Sequence, residues 1–448
     1  MVVSKQLQIF FDFLRFCIGS AKEIPVSLME ADWEELYAIA QKQCLMGVLF
    51  DGIKKLPAEH VGMKKELLLQ WMAESQILEK ANVRLNDAAI QVSEWFRKKG
   101  FRTCILKGQG NALMYPNPYS RTPGDIDIWV EGGDKRVISF VRSISPHEKA
   151  CYHHIKFPSY KGVEVEVHYR PSFLLCFWHN RKLQKYYERV REEQFSHRVM
   201  LGEQGEIAIP TVEFNLIFQL THIYAHLMNE GIGLRQLLDY YFFLSMLSVN
   251  CEMLTSLQKE LKELGLWKFA GAIMYIMQEV FGLPVSRLIV PPNEKYGKFV
   301  LNEVLEAGNF GRHDARNRFG RSQLGHNLQR VYRDIRLVRY FPTEALSEPI
   351  FRVWHFFWRL KHRRQSLGVC SMRVGFKVSQ MTQISSLLFH VPQIARIYTD
   401  FSYSGLRAPG ISEPRCKDTE TVRWQFIVAH TCSWLLIFSH RFSLFWCL

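Results

Sequence analysis

Two aspartates spaced two residues apart in the segment GDIDIWV, residues 124–130, are the residues best suited to chemistry. The alternation of polar and apolar residues predicts a strand, on which Asp125 and Asp127 point to one side and Ile126 and Ile128 face the core. Residues i and i+2 of a strand have Cα atoms about 6.6 Å apart, and two carboxylates at that spacing suit one or two Mg²⁺ ions. An Asp-x-Asp triplet is also common on a solvated strand face, and the motif alone leaves that alternative open.

A second strand offers a third carboxylate. The segment VEVEVH, residues 163–168, has the cleanest period-two alternation in the chain, which places Glu164, Glu166 and His168 on one face. If this strand pairs beside residues 124–130, one of the two glutamates reaches the aspartates. Three clustered carboxylates repel each other, so a cation must offset their charge. The alternative is an edge strand with a solvated polar face.

A third segment, LKGQG (residues 106–110), closes a short apolar run that predicts a buried strand. Closely spaced glycines after a strand let backbone N–H groups approach a phosphate, and a helix that begins near Asn111 would add its N-terminus to the anion site. Lys107 is placed to contact the phosphate directly. The alternative is a simple tight turn with Lys107 as a surface charge.

Helices must surround these strands, because apolar residues recur at three- and four-residue steps through most of the remaining chain. Residues 1–100 predict an N-terminal helical region, residues 101–175 contain the strands, and residues 176–365 predict a C-terminal helical domain. Residues 366–448 form a tail that we expect to be poorly ordered or atypical, because the helical periodicity fades there and acidic residues are few.

The composition is that of a globular protein with anionic partners. Of the 448 residues, 48% are apolar and 22% are charged, and the formal net charge is +14. A basic balance favours nucleotides, nucleic acid or an acidic membrane surface. No long run of Lys and Arg indicates a dedicated nucleic-acid arm, so the alternative is that the excess charge is spread over solvated helix faces.

The cysteines and the apolar runs bear on location. The chain has ten Cys, none in a Cys-x-x-Cys pair, which argues against a zinc or disulfide framework and for reduced thiols in the cytosol. The first residues lack the features of a signal peptide, and no apolar run is long enough to predict a transmembrane segment. We therefore expect a cytoplasmic protein.

Two pairs of polar residues share helix faces in the C-terminal region. His222 and His226 are spaced i, i+4, but no glutamate completes an HExxH zinc motif, so helix packing is the favoured role for both. Arg235 and Asp239 have the same spacing and either line the cleft as an ion pair or brace the helical region.

In combination these motifs resemble the family of uncharacterised bacterial nucleotidyltransferases, which belongs to the DNA polymerase β-like nucleotidyltransferase superfamily. The resemblance extends over roughly residues 5–362 and leaves out the tail. It implies an α+β fold, with a small mixed β-sheet and a large surrounding helical region. The segments that carry it are Lys107-Gly108, Tyr115-Pro116, Arg121, Gly124 to Asp127, Glu166 to Arg170 and the LR-x-x-x-D pattern of Arg235 and Asp239.

The resemblance also implies roles for individual residues. Asp125, Asp127 and Glu166 would be catalytic and would bind Mg²⁺, with Glu166 favoured over Glu164 because it stands two residues before the histidine. The implied nucleotide-binding residues are Lys107, Gly108, Gln109, Gly110 and Arg121. The turn Gly108-Gln109-Gly110 departs from the Gly-Ser or Gly-Gly turn of the superfamily, which affects the details of nucleotide binding.

The implied reaction is in-line attack of an acceptor hydroxyl on the α-phosphate of a nucleoside triphosphate, with pyrophosphate as the leaving group. The acceptor is a protein side chain, a sugar, another small molecule or an RNA end, and the sequence does not choose among them. Two other functions stay open. One is a non-catalytic module that binds a nucleotide or a partner with the same fold, and the other is an RNA-modifying or RNA-binding protein.

Overall fold

The computed structural model describes residues 4–57, 60–203, 205–247, 250–316 and 323–364. The tail predicted at residues 366–448 lies outside the described residues. Among the described residues, no helix combines the length and the apolar composition needed to cross a bilayer.

Helices occupy the chain before the first strand. Capping side chains fix where two of them begin: the Ser4 hydroxyl accepts from Leu7 N–H, and the Asp32 carboxylate accepts from the N–H groups of Glu34 and Glu35. The helices of this region are α1 (Lys5–Ile18), α2 (Trp33–Gln43), α3 (Met46–Ile53) and α4 (Lys65–Lys98).

A small mixed sheet follows. Its strands are β1 (Thr103–Ile105), β2 (Ile126–Val130), β3 (His154–Tyr160) and β4 (Val163–His168), in the spatial order β1-β2-β4-β3. β2 pairs with β1 antiparallel and with β4 parallel, and β3 pairs with β4 antiparallel. Parallel neighbours need a crossover connection, which α6 (Gly133–Ile144) and β3 provide. The short helix α5 (Gln109–Ala112) follows β1.

The alternation of β2 divides its side chains between the two faces of the sheet. Ile126 and Ile128 belong to an apolar cluster that includes buried residues of α4 and α6. Trp129 belongs to a second apolar cluster on the opposite face of the sheet, where its ring packs against Phe195 and Phe214. Asp127 shares the Trp129 side because it lies two residues earlier on the same strand. The predicted division between core-facing isoleucines and aspartates therefore agrees with the packing.

The remaining helices form the large helical region, and the predicted α+β class is confirmed. Buried residues of α1 and α3 belong to the same apolar cluster as those of the later helices, so the helices on the two sides of the strands share a core. The later elements are α7 (Phe177–Ser196), the hairpin of β5 (Arg198–Met200) and β6 (Glu206–Ala208), α8 (Val212–Asn229), α9 (Leu234–Met246), α10 (Cys251–Glu263), α11 (Trp267–Glu279), α12 (Glu294–Ala307), α13 (Gln323–Val338) and α14 (Pro342–Arg364).

Candidate functional site

The register of two parallel strands brings the predicted carboxylates together. Asp127 of β2 is the direct partner of Glu166 on β4, and Asp125 immediately precedes β2. One carboxylate oxygen from each of the three residues lies within 4.8 Å of those from the other two. Glu164 is exposed on β4 and is not part of this group. The sequence-based condition that the two strands pair side by side is therefore met.

Asp127 is the most deeply buried of the three carboxylates, with only 3% of its surface exposed. Its Oδ1 atom lies 2.8 Å from His168 Nε2, and its Oδ2 atom lies 2.9 Å from Lys107 Nζ. Burial opposes the ionisation of Asp127, but the charge of Lys107 and the hydrogen bond from His168 outweigh it and hold the pKa well below its usual value. Asp127 is therefore a fixed anion.

The His168 imidazole is the cationic partner of this anion. Burial disfavours its charged form, but the hydrogen bond to Asp127 and the nearby Glu166 carboxylate, 3.8 Å from Nε2, raise its pKa to about 9. His168 Nε2 thus donates to Asp127 and fixes the direction of that carboxylate, as second-layer partners of metal ligands do.

Asp125 has the opposite electrostatic environment. The charge of Asp127, followed by burial, raises the pKa of Asp125 to about 6 from an ordinary 3.8. The cations already present therefore do not fully offset the clustered negative charge. Three converging carboxylates with a residual anionic excess fit a hard divalent cation such as Mg²⁺, which prefers oxygen ligands.

Two further histidines lie beside Glu166. His154 Nδ1 is 3.6 Å from Glu166 Oε2, and His153 Nε2 is 2.9 Å from His154 Nδ1. Burial lowers the pKa of His154 to about 4, so this imidazole is neutral. His154, Glu166 and His168 also form a group whose ligand atoms lie within 4.8 Å of one another. His154 was not predicted as a site residue, although its place on a strand next to VEVEVH was the available signal.

Lys107 connects the sheet to helix α8. Leu106 N–H donates to the Asp127 carbonyl, which holds the chain beside β2, and Lys107 Nζ lies 2.7 Å from His222 Nε2. Burial and the charge of Lys107 keep the pKa of His222 well below its usual value, so the ring is a neutral acceptor. His226 Nε2 lies 3.0 Å from His222 Nε2. His222 and His226 therefore do more than pack the helix, because they form a polar chain with Lys107. The sequence signal for this role was the i, i+4 spacing of two histidines on an otherwise apolar helix.

The predicted phosphate turn adopts a conformation that requires glycine. Gly108 has φ +64°, and a Cβ there would lie 3.5 Å from the Asp125 carbonyl oxygen, so the backbone passes close to the carboxylate site. The helix after it begins at Gln109, two residues before the predicted start. The Gln109 side chain is buried and donates to Asn86 Oδ1 on α4, while a Cβ at Gly110 would lie 3.0 Å from Ile209.

Arg121 lies in a buried ion pair. Its Nε atom donates to Asp239 Oδ1 and its Nη2 atom donates to Asp239 Oδ2, both at 2.8 Å. Tyr115 Oη donates to the same carboxylate at 2.7 Å. Of the two roles left open for Arg235 and Asp239, the structure does not show the direct ion pair, because Asp239 takes Arg121 as its partner and Arg235 donates to the Thr122 carbonyl at 3.0 Å. A guanidinium held in this way reaches a phosphate only if the ion pair opens, so the nucleotide-binding role of Arg121 stays a prediction.

The comparisons with known proteins agree with the resemblance seen in the sequence. Neither a curated protein nor a solved structure matches the chain. A family model described as "Uncharacterised nucleotidyltransferase" matches residues 29–282, which is more than half of the 448 residues and includes Asp125, Asp127 and Glu166. The chain therefore belongs to this family of uncharacterised nucleotidyltransferases.

Proposed function

We propose that the protein transfers a nucleoside monophosphate from a nucleoside triphosphate to an acceptor hydroxyl in a Mg²⁺-dependent reaction. The observation that carries the proposal is the convergence of Asp125, Asp127 and Glu166 from two parallel strands to within 4.8 Å. These carboxylates would hold the metal. When bound, Mg²⁺ supplies positive charge to the attacking and leaving oxygens of phosphoryl transfer.

The other side chains of the site have assignable tasks in this reaction. Lys107 neutralises phosphate charge, and the Gly108 turn lets the backbone approach the nucleotide. Glu166, the less buried member of the Asp127–Glu166 pair, takes the proton from the acceptor hydroxyl as general base. His168 keeps Asp127 oriented while these groups act.

The setting we propose is the cytoplasm, where a nucleoside triphosphate is available. The six cysteines in the described part of the chain are free thiols, which is consistent with a reducing compartment. The labelled product of the transfer reaction would identify the acceptor, because a protein, a sugar, another small molecule and an RNA end each give a different labelled product.

The test is incubation of the purified protein with each α-³²P-labelled nucleoside triphosphate, Mg²⁺ and cell extract. We expect label transfer by the wild type and by Glu164→Gln, and none by the Asp125→Asn/Asp127→Asn variant. Glu164→Gln is the matched control because it removes an exposed carboxylate from the same strand as Glu166. Transfer that survives in the double variant would contradict the assignment of the site.

A second measurement separates the alternatives if no label is transferred. Binding of a nucleoside triphosphate that requires Mg²⁺ and the two aspartates would favour the non-catalytic binding module. Affinity for RNA that falls steeply as the salt concentration rises would favour the RNA-binding alternative.

A further inference from the structure

A second cluster of ligand-type side chains lies in the helical region. Cys176, His179 and Glu344 each present a donor atom, and these atoms lie within 4.8 Å of one another. Cys176 and Glu344 are buried, and the His179 side chain is 25% exposed. None of the three takes part in the nucleotidyltransferase site as proposed.

Local structure explains why the three side chains converge. Cys176 is the N-cap of α7 and His179 is the third residue of that helix, so both side chains face the turn that opens it. Glu344 lies in the first turn of α14. Its Oε2 atom accepts from the N–H groups of Leu175 at 2.6 Å and Cys176 at 3.3 Å. These bonds hold the carboxylate against the start of α7.

The other carboxylate oxygen, Oε1, also accepts from Cys176 N–H, at 3.4 Å, and faces the histidine. Glu344 Oε1 lies 3.7 Å from His179 Nδ1, which is longer than a hydrogen bond. Zinc bonds to nitrogen and oxygen are about 2.1 Å long, so two ligand atoms of a tetrahedral zinc site lie about 3.4 Å apart. The observed separation is therefore near that of two zinc ligands.

The backbone is shaped to admit the imidazole ring. Gly265 has φ +70°, and a Cβ at this position would lie 2.2 Å from Cε1 of His179. A side chain at residue 265 is thus excluded both by the backbone conformation and by the ring. His179 is held at a fixed distance from Cys176 and Glu344 because the ring occupies the space that Gly265 leaves.

We propose that Cys176, His179 and Glu344 bind a zinc ion, with the fourth position taken by water. Thiolate, imidazole and carboxylate are the ligand types that zinc takes in proteins, and three protein ligands with an open position form a recurrent zinc site. Binding places Cys176 as a thiolate and His179 as a neutral imidazole, and the protons they carry pass to solvent. The partly exposed imidazole marks the route by which the ion arrives.

This site was not evident from the cysteine spacing. The lack of a Cys-x-x-Cys pair indicated that the chain has no zinc framework, but Cys176 and His179 form a Cys-x-x-His pair whose third ligand stands 168 residues after Cys176. Glu344 also lies beyond residues 29–282, the segment that the family model matches. The ion would therefore fasten α14 to the start of α7, and the inference does not depend on nucleotidyl transfer.

The experiment uses the full chain, stripped of metal with a chelator and titrated with Co²⁺ in the presence of excess Mg²⁺ to occupy the carboxylate site. We expect one Co²⁺ to bind with a thiolate-to-cobalt charge-transfer absorption that Zn²⁺ then abolishes. The absorption should persist in Cys251→Ser, which removes an exposed thiol outside the cluster, and disappear in Cys176→Ser. An absent band in the wild type, or an undiminished band in Cys176→Ser, would overturn the proposal.

A second variant keeps the test decisive if Cys176→Ser does not fold. Glu344→Gln retains an oxygen that accepts from Leu175 and Cys176 but is a weaker metal ligand. We expect it to melt as a folded protein and to bind Co²⁺ more than about tenfold more weakly than the wild type. Unchanged affinity in the folded variant would also contradict the site.

Discussion

His168 Nε2 lies 2.8 Å from Asp127 Oδ1, and the two side chains are only 3% and 4% exposed. The pair joins β4 to β2 across the parallel strands that carry the carboxylates. Because a buried anion is stable only with a partner, the histidine has both a structural and an orienting role. Its contribution to stability can be measured apart from any reaction.

We expect His168→Gln to lower the free energy of unfolding by about 2 kcal/mol, the usual range for a hydrogen bond to a charged group. The pKa of His168 is raised from 6.5 to about 9 on folding, so its contribution is complete below pH 6.5 and is lost as the pH rises through about 9. Urea denaturation in chelator across this window measures the effect. His147→Gln, at an exposed histidine, is the control, and a difference that does not shrink between pH 6.5 and about 9 would contradict the ion pair.

Asp125→Asn is expected to stabilise the metal-free protein at neutral pH. The pKa of Asp125 is raised from 3.8 to about 6 on folding, so ionisation of this carboxylate destabilises the folded protein. The destabilisation is absent below pH 3.8, grows as the pH rises and is complete above about pH 6. We expect a gain of about 1 kcal/mol, because solvent screens a partly exposed carboxylate. Melting in chelator at neutral and acid pH tests this, with Glu164→Gln as the unaffected control. Addition of Mg²⁺ should reverse the advantage, and a variant that is less stable than the wild type in chelator would contradict the repulsion.

The carboxylates were predictable because their signal is local. Period-two alternation alone puts Asp125 and Asp127 on one side of a strand and Glu166 on the polar face of another. The parallel register of Asp127 and Glu166 was not predictable, since it depends on how α6 and β3, which connect the two strands along the chain, pack with the sheet. The α+β class followed from the family resemblance together with the helical periodicity on both sides of the strands.

The contacts that surround the carboxylates were harder to foresee. Lys107 and His222 are 115 residues apart, and Arg121 and Asp239 are 118 apart. Such pairs are set by helix packing, which no short-range pattern encodes. The i, i+4 spacing of Arg235 and Asp239 left an ion pair between them open, but Arg121 approaches Asp239 from outside the helix and takes that place.

Arg121→Met is expected to destabilise the protein by about 3–5 kcal/mol, because it leaves the buried Asp239 carboxylate without its cation. Arg121→Met/Asp239→Leu should recover much of that loss, since the unpaired charge is then removed as well. Denaturant unfolding of both variants measures this, with Arg84→Met as the exposed control. A folded Arg121→Met protein of normal stability that loses nucleotide affinity would favour the predicted phosphate role for Arg121 instead.

Lys107→Met is expected to weaken nucleoside triphosphate binding by about tenfold to a hundredfold, because it removes the cation that faces both Asp127 and the glycine turn. His222→Phe should weaken binding less, because it removes only the acceptor that positions the Lys107 ammonium. Calorimetric titration with a nucleoside triphosphate and Mg²⁺ measures both effects. Lys156→Met is the matched control, since Lys156 is an exposed cation that pairs with Glu166 in the register of the same sheet. Equal losses in the Lys107 and Lys156 variants would mean that general positive charge, and not the position of Lys107, attracts the nucleotide.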